Sequence, residues 1–191
     1  MNVIEAIRTR RSIAQLRDDE VPRELIEQLL EAAIWAPNHK RVEPWRFAVF
    51  SGEAREKLAQ ALRDNYRFDH PDATPDELSG PGEKSARRVL SAPVTIVIWS
   101  EAGRNAVETL ENFAATAIAT QHILLAAHAF GLGVCWRSGE AAYTAPRNAV
   151  KDLVGAAPEA QLVAFLPIGY PAEAGKPGQR VPFGEKTQWF E

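Results

Sequence analysis

Four short polar clusters carry whatever chemistry this 191-residue chain can do. Arg10-Arg11-Ser12, with Arg8 nearby, sets two guanidiniums and a hydroxyl at a chain turn. Such a group can grip a phosphate through bidentate, charge-assisted hydrogen bonds. Cations are also favoured at the end of a preceding helix, so the triplet alone reads more readily as a solvated basic turn. Ala36-Pro37-Asn38-His39-Lys40, closing at Glu43-Pro44-Trp45, holds hydrogen-bonding side chains between two stiffening prolines. Its plain alternative is an ordinary helix-to-strand connection. Trp136-Arg137-Ser138-Gly139 is a donor-rich group at a strand's end, and Lys176 to Arg180 is a cationic stretch in the tail. The four histidines (39, 70, 122 and 128) have no HxxxH spacing, and Cys135 is the single cysteine, so no metal site is expected. No GxSxG elbow is present, so no nucleophilic triad is expected either.

These clusters need positioning, and the hydrophobic pattern indicates what does it. Val107 to Phe130 has no Gly or Pro and is apolar at spacings of three and four, with a second apolar face at Phe113, Ile123, Ala127 and Phe130. A helix apolar on most sides is buried, and this one would run ~36 Å. Gly131 and Gly133 stop it, and 134–137 follows as a strand ending in Arg137. Helices are also expected at 2–9, from Pro22 to before Pro37, at 52–66, 83–90 and 145–154. Strands are expected at 45–50, 94–99 and 161–168. In the first helix Val3, Ile4 and Ile7 share a side. In the second, Leu25, Ile26, Leu29, Leu30, Ala33 and Ile34 face the core. Residues 65–82 are polar and rich in Asp, Pro and Gly, the expected mobile segment and candidate lid. The tail from Ala172 to Gly184 is expected to be extended, and the terminal Trp189-Phe190 calls for a burial site. Strands and helices that do not alternate regularly imply an α+β fold, and Gly131-Leu132-Gly133 lies on the wrong side of its strand for a dinucleotide turn.

Hydrophobic residues make up 46% of the chain, enough for a sizeable core. Net charge is −3 with both signs interspersed, which gives no nucleic-acid footprint. The charged residues of the long helix argue against a membrane span, and the N-terminus lacks a secretory pattern. A single domain over 1–191 and a soluble, cytoplasmic protein are expected.

In this order the segments resemble the nitroreductase family of FMN-dependent oxidoreductases. The resemblance rests on Ile4 to Ser12, Ala32 to Trp45, the long alanine-rich helix, Gly131-Leu132-Gly133 with Trp136, and Ile168-Gly169-Tyr170-Pro171 followed by Arg180. It implies a central, mostly antiparallel sheet flanked by helices, a long buried central helix and an intertwined homodimer with FMN at the subunit interface. By position it assigns Arg10, Arg11 and Ser12 to the FMN phosphate and ribityl chain, with Trp136, Arg137, Ser138 and Arg180 completing the phosphate end. His39, with Asn38, Lys40 and Trp35, would reach the flavin from the partner subunit. Ala126, Ala127, His128, Ala129, Phe130 and Gly131 would lie along the nicotinamide nucleotide. Two departures stand out: Glu43, where the family often has Gln or Asn, and the bulkier Asn38-His39-Lys40 loop.

The activity implied is NAD(P)H-dependent reduction of nitroaromatic, quinone or similar acceptors in a ping-pong cycle. Hydride passes through FMN, so no protein group is catalytic in the strict sense and no metal is needed. Two other readings remain open from sequence: a flavin storage or sensing protein without turnover, and a non-flavin α+β interaction domain. Lack of yellow colour would mark the last.

Overall fold

The computed structural model describes residues 1–72, 74, 80–138 and 148–190. Its architecture follows from one strand. Val94–Ser100 (β2) is a continuous apolar run, and every residue in it is buried. Alternate side chains leave opposite faces of a strand. Ile96 and Ile98 therefore enter one core, and Val97 and Trp99 enter the other. Trp45–Ser51 (β1) and Gln161–Gly169 (β4) flank β2, and Gly133–Val134 (β3) completes an antiparallel sheet of order β1-β2-β4-β3. Trp45 pairs with Ser100 and Val94 with Ile168, with one irregularity at Ile98/Trp99.

The first core lies beneath Arg23–Ile34 (α2) and Ala106–Ala129 (α5), where Leu29, Ala33, Ala119, Ile123 and Ala127 are fully buried. The His122 ring nitrogen Nδ1 lies 3.1 Å from the Ala32 carbonyl and ties the two helices. The second core lies beneath Ala54–Asp69 (α3), Pro81–Leu90 (α4) and Ala149–Val154 (α6), and includes Leu58, Val89 and Val150. The layering and the antiparallel sheet match the α+β expectation.

Several expectations need revision. The third helix does not stop at 66 but runs to Asp69, so 65–69 are helical rather than part of a mobile loop. The reason is a contact with a distant part of the chain. Asn65 is buried, its Nδ2 donates to Asn148 Oδ1 (3.0 Å), and its Oδ1 accepts from Ala149 N (2.6 Å). Asn148 Oδ1 in turn accepts from Val150 N and Lys151 N as the cap of α6. Residues 73 and 75–79 of the expected lid, and 145–147 of the expected helix, lie outside the described residues. The strand expected at 134–137 is a ladder only at 133–134, and Arg137 rejoins as an isolated bridge to Phe165.

The helix Val3–Thr9 (α1) turns its apolar side outward: Val3, Ile4 and Ile7 are exposed and Ala6 is buried. A single chain likewise buries only one side of α5, leaving Val107 and Leu110 67% and 69% exposed. Trp189 and Phe190 find no cover in their own chain, at 78% and 91% exposure.

Replacing Asn65 with Ala strands the Ala149 N–H and one Asn148 bond in a buried setting, at a cost of about 2 kcal/mol. We expect Asn65→Ala to lower the urea midpoint accordingly with an unchanged denaturant slope. An unaltered midpoint would show that this pair does not hold α3 to α6.

Candidate functional site

The site residues expected from sequence are built around the two ends of α5. At its C-terminal end Gly131 takes a left-handed φ of +76°, which lets the Leu132 N–H close back on Ala127 O at 2.8 Å. The chain then enters β3 beside the segment that follows α1. Ile13 N donates to Val134 O (3.0 Å), Arg17 N to Tyr170 O (2.8 Å) and Ala172 N to Gln15 O (3.1 Å). Gly133 has no room for a side chain, because a Cβ there would stand 2.8 Å from Leu16 Cδ2. The seam delivers Arg10, Arg11 and Ser12 to the end of α5, where Thr9 Oγ1 and His128 Nε2 are 2.8 Å apart.

The electrostatics here are one-sided. Arg10 is partly buried, and its pKa is lowered by loss of solvent first and then by the charges of Arg11 and Arg180. These three cations therefore share one neighbourhood, and among the described residues no carboxylate contributes to holding Arg10. Cys135 lies close enough to offset part of the effect. Two residues further on, Arg137 Nε is buried without a hydrogen-bond partner, one of only two such side-chain atoms among the described residues. A buried charged donor left unpaired is costly, so Arg137 suits an anion as its acceptor. Arg11 is committed differently. Its Nε donates to Lys176 O (3.0 Å), and its Nη1 donates to Arg8 O and Arg10 O, each at 2.8 Å. Ser12 and Ser138 are exposed and Trp136 is half-buried against the core. Within the expected nicotinamide segment, Ala127 is fully buried in the core and His128 is held by Thr9. Of that segment only Ala129, Phe130 and Gly131 are exposed.

Of the other expected residues, the loop of Asn38, His39 and Lys40 sits at the opposite end. Asn38 Oδ1 accepts from Glu43 N (3.0 Å) and Arg46 Nη1 donates to Glu43 O (3.0 Å), which pins a loop with positive φ at Lys40, Arg41 and Glu43. These are the only non-glycine residues with positive φ among the described ones. His39 and Lys40 are exposed on it, and Trp35 is exposed with its Nε1 donating to Glu31 (3.2 Å). A cleft of about 270 Å³ separates this loop from the start of α5, lined in part by His39, Lys40, Pro44, Gly103, Arg104 and Glu108. The Arg104 side chain and backbone hold the Glu108 carboxyl down to about 2. Sequence reasoning missed Arg104 and Glu108. Asn105 three residues before Glu108 is a helix-start signal that could have found them.

The two groups do not meet. Lys40 acts on Glu108 near the start of α5, and Thr9 contacts His128 in its last turn. At ~1.5 Å per residue those two positions are about 30 Å apart, farther than one mononucleotide spans. Among the described residues no three His, Cys, Asp or Glu side chains gather as a metal site, and no helix is long and apolar enough to cross a membrane.

Comparison with known proteins bears on this arrangement. Residues 7–170 match the model of the nitroreductase family. A Bacillus subtilis protein provisionally named NAD(P)H nitroreductase YfhC is 30% identical over 95% of this chain and 91% of its own length. A nitroreductase-like family protein from Bacillus cereus superposes with a TM-score of 0.88 at 32% identity, covering 100% of this chain and 97% of that one. A Desulfovibrio desulfuricans protein, provisionally termed a nitroreductase and solved in complex with FMN, superposes with a TM-score of 0.74 at 28% identity, covering 100% and 98%.

The Arg104–Glu108 pair makes a prediction about pH. A carboxyl depressed below its ordinary 4.5 adds stability that is present above that value and lost as the pH falls toward about 2. Carbon NMR should therefore find Glu108 titrating near pH 2, and Arg104→Gln should return it to the ordinary range. Normal titration in the unaltered protein would mean that the pair does not form in solution.

Proposed function

The chain belongs to the nitroreductase family, and from that premise we propose that it is an FMN-dependent oxidoreductase, working as one domain over residues 1–191. It would take hydride from NAD(P)H and pass it to nitroaromatic, quinone or similar acceptors in a ping-pong sequence. The observation that carries this reading is the group of Arg10, Arg11 and Arg180, together with the buried, unpartnered Nε of Arg137 on the strand segment that follows Cys135. That group fits the phosphate of FMN in charge and donor type. The FMN complex of the D. desulfuricans relative and the NAD(P)H in the name of the B. subtilis relative support the same assignment.

FMN, when bound, supplies reversible hydride acceptance at N5. The chain's own residues have the tasks of binding and orientation. Arg10, Arg137 and Arg180 hold the phosphate, with the Ser12 and Ser138 hydroxyls as further donors and Trp136 as an apolar wall. Ala129, Phe130 and Gly131 are the accessible part of the segment assigned to the nicotinamide nucleotide. The loop of Asn38, His39 and Lys40, with Trp35, faces the flavin ring of the other protomer. The Glu43 backbone is tied down through its N–H and carbonyl, leaving its carboxylate exposed on the strained loop.

A second copy is required by this assignment, because the two halves of the site stand about 30 Å apart along one helix. A homodimer in which each protomer lends its 38–40 loop to the other's arginines brings them together. The exposed apolar side chains of α1 and α5, with Trp189 and Phe190, support an interface of that kind.

The purified protein should show two visible flavin bands that bleach when NADH or NADPH is added without oxygen. A colourless protein that takes up no FMN would sink the assignment. Arg10→Ala should weaken FMN binding by at least about tenfold, the scale of one lost charge-assisted bond. Shared sites make a sharper test. Protein carrying Arg10→Glu and Arg180→Glu should be inactive, as should protein carrying Ala at 38, 39 and 40. Unfolded and refolded together, they should recover about one quarter of the sites, because each mixed dimer joins one intact clamp to one intact loop. No recovery would mean that the site lies within one chain.

A further inference from the structure

The tail and Arg11 interlock in a way that phosphate binding alone does not require. Two glycines of the tail lie against this one side chain. A Cβ on Gly175 would come 2.7 Å from Arg11 Cβ and 2.9 Å from Ile13 Cδ1, and one on Gly178 would come 2.9 Å from Arg11 Cζ. Neither glycine has the left-handed φ that would call for it on backbone grounds. Their common property is the missing side chain. Between them the Lys176 carbonyl accepts from Arg11 Nε. On its other side the same guanidinium reaches the carbonyls of Arg8 and Arg10 through Nη1. The Arg11 fork thus bonds at once to the turn that carries Arg10 and to the tail that carries Arg180. Arg10 and Arg180 are close enough to depress Arg10 electrostatically, and both were assigned above to the phosphate.

We propose that Arg11 is a positioning residue, a clasp between residues 8–10 and the tail bracket Gly175–Gly178, which sets the spacing of Arg10 and Arg180 and so links tail docking to FMN-phosphate affinity. This rests on the flavin reading of the site. The planar guanidinium is what the role needs. Its N–H groups leave in fixed directions in one plane and reach carbonyls on two chain segments, which a lysine ammonium on a flexible stem does not reproduce. A residue that served only by its charge would instead tolerate Lys.

The test compares FMN with riboflavin, which lacks the phosphate, on the apoprotein. Gly178→Ala pushes on the guanidinium, and Arg11→Lys keeps the charge but breaks the fork. Each should raise the FMN dissociation constant by about tenfold while leaving the weaker riboflavin constant unchanged. The Gly178→Ala, Arg11→Lys double variant should be no worse than Arg11→Lys alone, because both act through one contact. Without flavin, Arg11→Lys should also speed tryptic cleavage after Arg180. Additive losses, an equal loss of riboflavin binding, or full FMN affinity in Arg11→Lys would each overturn the clasp. If the unaltered protein binds FMN no better than riboflavin, the phosphate site itself is wrong, and the tryptic comparison still decides whether Arg11 holds the tail.

Discussion

The rigidity of α5 is the constraint on which the other features depend. A 24-residue helix is a rod of fixed length, and its middle is fastened into the core by Ala115, Ala119 and Ile123. Whatever attaches to its two ends is thereby held apart. The arginine group belongs to one end through Thr9 and His128, and the strained loop belongs to the other through the Lys40–Glu108 attraction. A bend large enough to join them would break the core that β2 shares with the helix. The fold therefore keeps the two groups apart within one chain, and this separation is what leads the proposed shared site to a second copy.

The arginines show how little charge alone says about role. Arg10 and Arg11 are neighbours in sequence and carry the same group. Burial and two other cations act on Arg10, leaving it with unsatisfied demand for an anion. Arg11 spends its donors on three backbone carbonyls. Backbone carbonyls carry partial charge only, so the cluster keeps its positive field while gaining a fixed shape. Arg137 contributes in a third way, through one buried N–H without an acceptor.

Much of this was legible in the sequence where local pattern and burial agree. The run Val94 to Trp99 could only be an interior strand, and Gly131 marked the end of the long helix. The family resemblance brought the polar clusters together, since nothing in their spacing alone would have joined residues 10 and 180. Long-range partners were not legible. Asn65 reads as the start of a loop because its hydrogen-bond partner is Asn148, 83 positions away. The apolar side of α1 was legible but its outward direction was not, because periodicity reports that a face is apolar, not which surface covers it. The three carbonyls to which Arg11 donates were hidden in the same way, because a guanidinium in a sequence shows its charge but not where its five N–H groups are directed.

The loop at Lys40, Arg41 and Glu43 sits in a part of conformational space that costs ordinary side chains about 1–2 kcal/mol per residue. Such geometry persists only where the surroundings dictate it; besides the Val42 N–H on the His39 carbonyl, the side-chain hydrogen bonds that fasten it come from Asn38 on one side and Arg46 on the other. The segment therefore behaves as a loaded spring with two clips. Its local sequence favours other shapes, so the position of His39 and Lys40 is a property of the folded protein around them. Anything that loosens Arg46 from the Glu43 carbonyl would move the loop without touching Asn38, His39 or Lys40.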